Sequence, residues 1–235
     1  MNEILAEFIG TALLLLIGNG VVANVVLNGT KGNGSGWIVI TLGWGMAVFV
    51  AVFAVGPFSG AHINPAVTLG LAWAGSFPWA EVGPYIAAQV LGAAVGTTFT
   101  WLQYRQHFEQ TTDKAAKLAV FCTGPAIKNT VNNFISEFIG TFVLVFGVLS
   151  LVSPEVGLGS IDALPVGLLV LAIGLGLGGT TGYAINPARD FAPRLMHAIL
   201  PVHDKGRSDW GYAWIPVLGP IAGGIVAAMA RGLVI

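Results

Sequence analysis

Charged residues are scarce in this chain. Asp, Glu, Lys and Arg make up 9% of its 235 residues, against about 25% in a typical soluble domain, so most of the surface must face something other than water. The ten basic and eleven acidic residues leave a net charge of −1, which excludes the positive excess that would draw in nucleic acid. Cysteine is nearly absent. The single Cys122 rules out an internal disulfide, and the scattered His62, His107, His197 and His203 leave no metal-ligand spacing. No nucleophile–base pair points to an enzyme, and no cofactor is implied. A basic leader is missing too. The first apolar run is long and contains Glu7, so it is expected to stay in the protein rather than be cleaved as a signal peptide.

What is abundant is apolar. Hydrophobic residues make up 55% of the chain and its mean hydropathy is +0.80. Six runs, at 4–27, 37–55, 82–103, 131–152, 162–181 and 211–234, approach the roughly 20 residues that cross a bilayer as a helix. The 33 glycines, set within such runs, suggest close helix–helix contact. Polar, turn-prone connectors are expected at 28–36, 104–130, 153–160 and 201–209, with no separate soluble domain. The aromatic residues read mostly as lipid-belt or packing groups.

Two apolar stretches, 66–74 and 187–200, are too short to span. Each begins at an Asn-Pro-Ala tripeptide: Asn64, Pro65 and Ala66, then Asn186, Pro187 and Ala188. Asn is a good N-cap and Pro suits the first helical turn, so one copy alone would mark an ordinary helix start. Two copies on matching half-spans point instead to a site at mid-membrane. The residues ahead of them, 59–63 and 182–185, must be irregular backbone, which is tolerated at that depth only against protein or a wet cavity. The half-helices would meet N-terminus to N-terminus. Their positive dipole ends would repel cations, and the asparagine amides would hold a water or hydroxyl oxygen.

A repeat supports this pairing. Residues 6–11 recur as 136–141, so Glu7 matches Glu137 at an offset of 130, while the asparagines repeat at 122. The expected organisation is one domain, residues 1–235, built of two repeats (about 1–103 and 131–235) joined by a connector at 104–130. Three spans per repeat make the second run inverted relative to the first. Glu7 and Glu137 read either as a scaffold accepting N–H groups from the dipping loops or as an ion- or proton-coupling site, and their duplication favours the scaffold. Arg189 is a charge inside the membrane region, where a charge is usually functional. Its five N–H donors suit neighbouring hydroxyls on one small molecule. The plainer alternative pairs it with the adjacent Asp190.

These stretches, above all residues 59–68 and 182–190, resemble the aquaporin and glycerol-facilitator family, the major intrinsic proteins. The resemblance covers nearly the whole chain. It implies an all-α integral membrane bundle of six transmembrane helices and two re-entrant half-helices, assembled as a homotetramer and passing small neutral solutes passively. It also implies a selectivity filter at Trp44, Gly174, Tyr183 and Arg189. Water-selective members place Phe and His at the first two positions. Trp44 and Gly174 instead suggest the glycerol branch, with a wider constriction and an apolar corner for a polyol's carbons, and Asp190 after the arginine fits that branch. Glycerol facilitators usually carry Phe where this chain has Tyr183, whose hydroxyl would either narrow the filter or turn inward as a hydrogen-bond partner. The family lines the rest of the pore with backbone carbonyls, here those of Gly60, Ala61, His62, Gly182, Tyr183 and Ala184.

The expected function is a glycerol and small-polyol channel that also passes water and excludes protons and ions. The alternatives are a water-selective channel of the same fold and an ion-coupled secondary transporter. The expected location is a cell membrane, with compact termini of prokaryotic appearance. The family orientation places both termini in the cytoplasm. That leaves Lys31, Arg105, Lys114, Lys117, Lys128, Lys205 and Arg207 outside and only Arg231 inside, the reverse of what counting basic residues predicts.

Overall fold

The computed structural model describes residues 1–151 and 159–234, and no strand occurs among the described residues. The helices, in chain order, are α1 (Glu3–Val26), α2 (Trp37–Ser59), α3 (Pro65–Trp73), α4 (Trp79–Gln110), α5 (Lys114–Phe121), α6 (Thr130–Ser150), α7 (Leu164–Leu177), α8 (Pro187–Ile199) and α9 (Ile215–Val234). Six of them, α1, α2, α4, α6, α9 and α7 with its flanking turns, are long and apolar enough to cross a membrane. At 1.5 Å per residue, α3 and α8 reach only about 14 and 20 Å, so each goes part of the way. Ile38, Phe53, Leu91, Phe99, Val131 and Leu168 stand exposed on the outside of the bundle, a surface that suits hydrocarbon. The chain is a multi-pass membrane protein.

The spans lie close to their expected places, but α2 runs on to Ser59, four residues past its expected end and one residue into the backbone expected to be irregular, and three further differences stand out. The third span, α4, extends to Gln110, into the expected connector. The connector also holds a helix of its own, α5. Asp113 caps it by accepting from the N–H groups of Ala115 and Ala116 at 2.8 and 3.1 Å, and it buries Lys117, Val120 and Phe121. Its polar content masked a spacing of three and four residues that makes one buried face. Third, α9 begins at Ile215 rather than 211, because residues 209–215 form turns. The end of the span expected at 131–152 and most of the connector expected at 153–160 fall on residues 152–158, outside the described residues.

Glycine sets how closely the long helices approach. A Cβ on Gly92 of α4 would lie 2.2 Å from the carbonyl oxygen of Phe8 in α1, and one on Gly223 of α9 would lie 2.3 Å from that of Phe138 in α6. Phe8 and Phe138 are the same position of the repeated Glu-Phe-Ile-Gly stretch. The α1–α4 and α6–α9 pairs therefore use one packing solution twice: backbone against backbone, with no room for a side chain. Gly92→Leu and Gly223→Leu should each force the pair apart and destabilise the bundle by at least the roughly 1–3 kcal/mol of ordinary overpacking. Thermal unfolding in detergent would show this as a lowered midpoint, whereas an unchanged midpoint would mean that the backbones do not touch there.

Candidate functional site

The two Asn-Pro-Ala stretches meet inside the bundle. Asn64 caps α3 by accepting from Ala66 N–H at 2.9 Å, and Asn186 caps α8 by accepting from Ala188 and Arg189 N–H at 3.0 and 3.2 Å. Each amide then reaches across. Asn64 Nδ2 donates to the Ile185 carbonyl at 2.8 Å, and Asn186 Nδ2 donates to the Ile63 carbonyl at 2.9 Å. Two helix N-termini are thus tied together reciprocally, and each amide keeps one further N–H.

The loops that lead into these caps are strained. Gly60 and Gly182 have φ of 78° and 84°, and Ala61, Ile63, Tyr183 and Ile185 are left-handed as well, at 51°, 44°, 38° and 44°. A β-branched residue in that region is a true outlier, and each such residue costs on the order of 1–3 kcal/mol. Buried glutamates hold the loops in place. Glu7 accepts from the N–H groups of His62 (2.9 Å) and Ile63 (2.7 Å), from the Ser59 hydroxyl (2.7 Å) and from Gln89 Nε2 (2.7 Å). Glu137 accepts from the N–H groups of Ala184 (3.0 Å) and Ile185 (2.9 Å) and bonds the Thr181 side chain. In a trans peptide the N–H and the C=O point in opposite directions, and no cis peptide occurs among the described residues. The carbonyls of Ala61, His62, Tyr183 and Ala184 therefore turn away from the glutamates.

Both loops border a narrow cavity of ≈ 120 Å³. Gly60, Ala61, His62, Asn64, Tyr183, Ala184, Asn186, Trp44 and Arg189 all line it. The lining also includes hydrocarbon side chains, among them Leu14 of α1 and Leu144 of α6, again related by the offset of 130. The Arg189 guanidinium lies over the Trp44 ring, 4.1 Å from its centroid. One of its nitrogens donates to the Phe121 carbonyl at 3.4 Å, and its other donors have no acceptor among the described residues. One end of the cavity thus has an aromatic face beside a fork of N–H groups.

The other expected site residues lie behind this lining. Pro65, Ala66, Pro187 and Ala188 are buried helix starts, and Gly182 provides a turn. Gly174 backs the Tyr183 ring: a Cβ there would stand 2.8 Å from Tyr183 Cζ. Asp190 does not pair with Arg189. It accepts from Arg194 Nε and Nη2 at 2.9 and 2.8 Å and from the N–H and hydroxyl of Thr123 at 2.8 and 2.6 Å. This ties α8 to the connector whose Phe121 carbonyl meets Arg189. Beside that junction, burial pushes the Cys122 thiol pKa up, leaving it protonated and inert.

Several contributors were not singled out from sequence. Ser59 and Thr181 repeat at the same offset of 122 as the asparagines, a signal that was available. Arg194 stands four residues after Asp190 on one helix face, also readable. Gln89, Phe121 and Thr123 come from distant segments with no local mark.

A membrane-length helical bundle closed around a narrow cavity, with two helix N-termini meeting inside it, defines a multi-pass membrane channel. The chain belongs to the major intrinsic protein family, whose sequence pattern matches residues 1–231. It is 58% identical over 228 residues to a probable glycerol uptake facilitator protein of Thermotoga maritima, covering 97% of each chain. It is 56% identical over 235 residues to the glycerol uptake facilitator protein of Streptococcus pneumoniae, covering 99% of each. Among solved structures it resembles the aquaglyceroporin of Plasmodium falciparum, with a TM-score of 0.84 and 32% identity, covering 97% of this chain and 93% of that one. As a member of this family the chain is a channel and not an enzyme.

If the glutamates hold the loops, Glu137→Ala should leave two buried N–H groups without acceptors, at about 1–3 kcal/mol each. Glu137→Gln, which keeps the shape and one acceptor, should cost less. Unfolding midpoints of the two variants measure the difference, and a wild-type midpoint for Glu137→Ala would refute the scaffold role.

Proposed function

We propose that this chain is a passive channel for glycerol and similar small neutral polyols that also conducts water and excludes protons and ions. The observation that carries the reading is the pairing of Trp44 with Arg189 at one end of an amphipathic cavity. An apolar ring face suits the carbon backbone of a polyol, and unpaired guanidinium donors suit its hydroxyls. The relatives named as glycerol uptake facilitators support the same solute. In this reading Trp44, Gly174, Tyr183 and Arg189 form the selectivity filter, and the loop carbonyls accept solute hydroxyls further in. At the asparagines, the converging positive ends of α3 and α8 oppose cations and interrupt a proton wire.

The alternatives have less support. A water-selective filter would need bulk at position 174, where Tyr183 already fills the space. An ion-coupled transporter needs an available carboxylate, whereas Glu7 and Glu137 are both engaged by loop N–H groups.

The domain reading is a single channel domain of two inverted repeats, supported by the duplicated helix contacts, glutamate cradles and reciprocal asparagine bonds. We place it in a prokaryotic plasma membrane as a homotetramer with both termini cytoplasmic. Several cations that count against this orientation are engaged in loop packing. Lys117 Nζ donates to the His203 carbonyl at 2.5 Å, Lys205 Nζ donates to the Ala198 and Leu200 carbonyls at 2.7 and 2.6 Å at the end of α8, and Lys114 pairs with Asp204 at 2.8 Å. The ammonium of Lys114 holds the Asp204 carboxyl below its usual pKa.

Vesicles containing the protein should reswell in an inward glycerol gradient faster than protein-free vesicles, and equal rates would remove this reading. Trp44→Phe with Gly174→His should suppress glycerol flux more than water flux. Because a side chain at 174 collides with Tyr183, Tyr183→Ala should be added to make room. Equal loss of both fluxes would mean the filter is elsewhere.

A further inference from the structure

Trp37 lies outside the four filter positions and is 39% exposed, so it looks like one more aromatic residue of the membrane interface. Its contacts are more specific than that role requires. The indole Nε1 donates to the Gly174 carbonyl at 3.1 Å, and the ring meets Tyr183 edge to face at 5.8 Å. A Cβ on Gly178 would strike both rings, 2.4 Å from Tyr183 Cδ1 and 2.9 Å from Trp37 Cζ2. The Tyr183 ring is therefore seated on two bare glycine positions, Gly174 in α7 and Gly178 in the turn just after it, with Trp37 at its edge.

This seat decides where the hydroxyl goes. A Cβ on Gly174 would lie 2.9 Å from both Tyr183 Oη and the Thr41 methyl, so the hydroxyl is pressed between α7 and a methyl group of α2. It is buried and has no hydrogen-bond partner, although Tyr183 is among the residues that line the cavity. A buried hydroxyl without a partner is a costly arrangement that persists only where the surroundings impose it. Across the cavity, Arg189 has donors to spare.

We infer that Trp37 is a positioning residue for solute selection: with Gly174 and Gly178 it pins the Tyr183 ring so that an apolar face meets the solute while the hydroxyl is kept out of the path. Without it, the Tyr183 hydroxyl is free to turn to Arg189 and accept the donors that a polyol would use. Water needs few of those donors and loses little, so glycerol is the solute affected. The inference rests on the filter reading above.

The test is a cycle of variants of the full chain in vesicles, with glycerol and osmotic water permeability measured on the same preparation. Trp37→Ala should lower the glycerol-to-water permeability ratio by about tenfold, the scale of one net hydrogen bond. In the Tyr183→Phe background, which has no hydroxyl to release, the same change should lower the ratio less than about twofold. Trp37→Phe keeps a ring but loses the bond to Gly174. It should give an intermediate loss that Tyr183→Phe again removes, and this pair decides the matter if Trp37→Ala does not insert. Equal losses in both backgrounds, or no loss, would overturn the role. Trp44→Phe separates the two levels. A ratio indifferent to Trp44 removes the filter reading itself, while one that responds to Trp44 and not to Trp37 removes only the inference.

Discussion

A peptide loop that dips into the middle of a membrane has no water to satisfy its N–H groups, so some protein group must accept them. In this chain the acceptors are two buried carboxylates, Glu7 and Glu137, and most of the site follows from them. By taking consecutive N–H groups they hold left-handed backbone at Ala61, Ile63, Tyr183 and Ile185 and turn the intervening carbonyls away from the carboxylates. The loop then delivers its asparagine to the start of a half-helix. An isolated buried carboxylate would be prohibitive, and here its cost is offset by the same N–H groups that would otherwise be orphaned.

In the proposed reading the two kinds of site residue do different work. The asparagines join the two loops and present dipole ends, which bears on ions and does not distinguish one neutral solute from another. Solute choice, in the proposed reading, belongs to the Trp44 and Arg189 end of the cavity. That end depends on the connector as well, since Phe121 meets Arg189 and Thr123 meets Asp190. The segment that joins the halves is thus part of the wall behind the filter position.

The six spans and the two half-helices were readable because membrane solubility and helix length impose a strong, simple pattern. Glu7 and Glu137 were readable because they recur. Helix α5 was missed because its buried face includes Lys117, whose charge disguises it. The partners of Asp190 were missed in part because Thr123 lies 67 residues away, outside any helix. The conformation of Tyr183 was beyond sequence altogether. Its ring is placed by the absence of side chains at Gly174 and Gly178, and an absence at one position says nothing of what fills the space until the fold brings the two together.

The reciprocal bonds between Asn64 and Ile185 and between Asn186 and Ile63 also have a bearing on time. Asn186 leaves the ribosome 122 residues after Asn64, a delay on the order of ten seconds at ordinary synthesis rates. During that interval the first loop has no partner across the centre and must wait half-finished. Every group that Glu7 engages, including Ser59 and Gln89, is encoded before residue 104, so the early half carries its own provisional support. The later half is made when every contact of the first loop with Glu7 has already been synthesised. The near-symmetry of the finished channel is therefore reached by two unlike births.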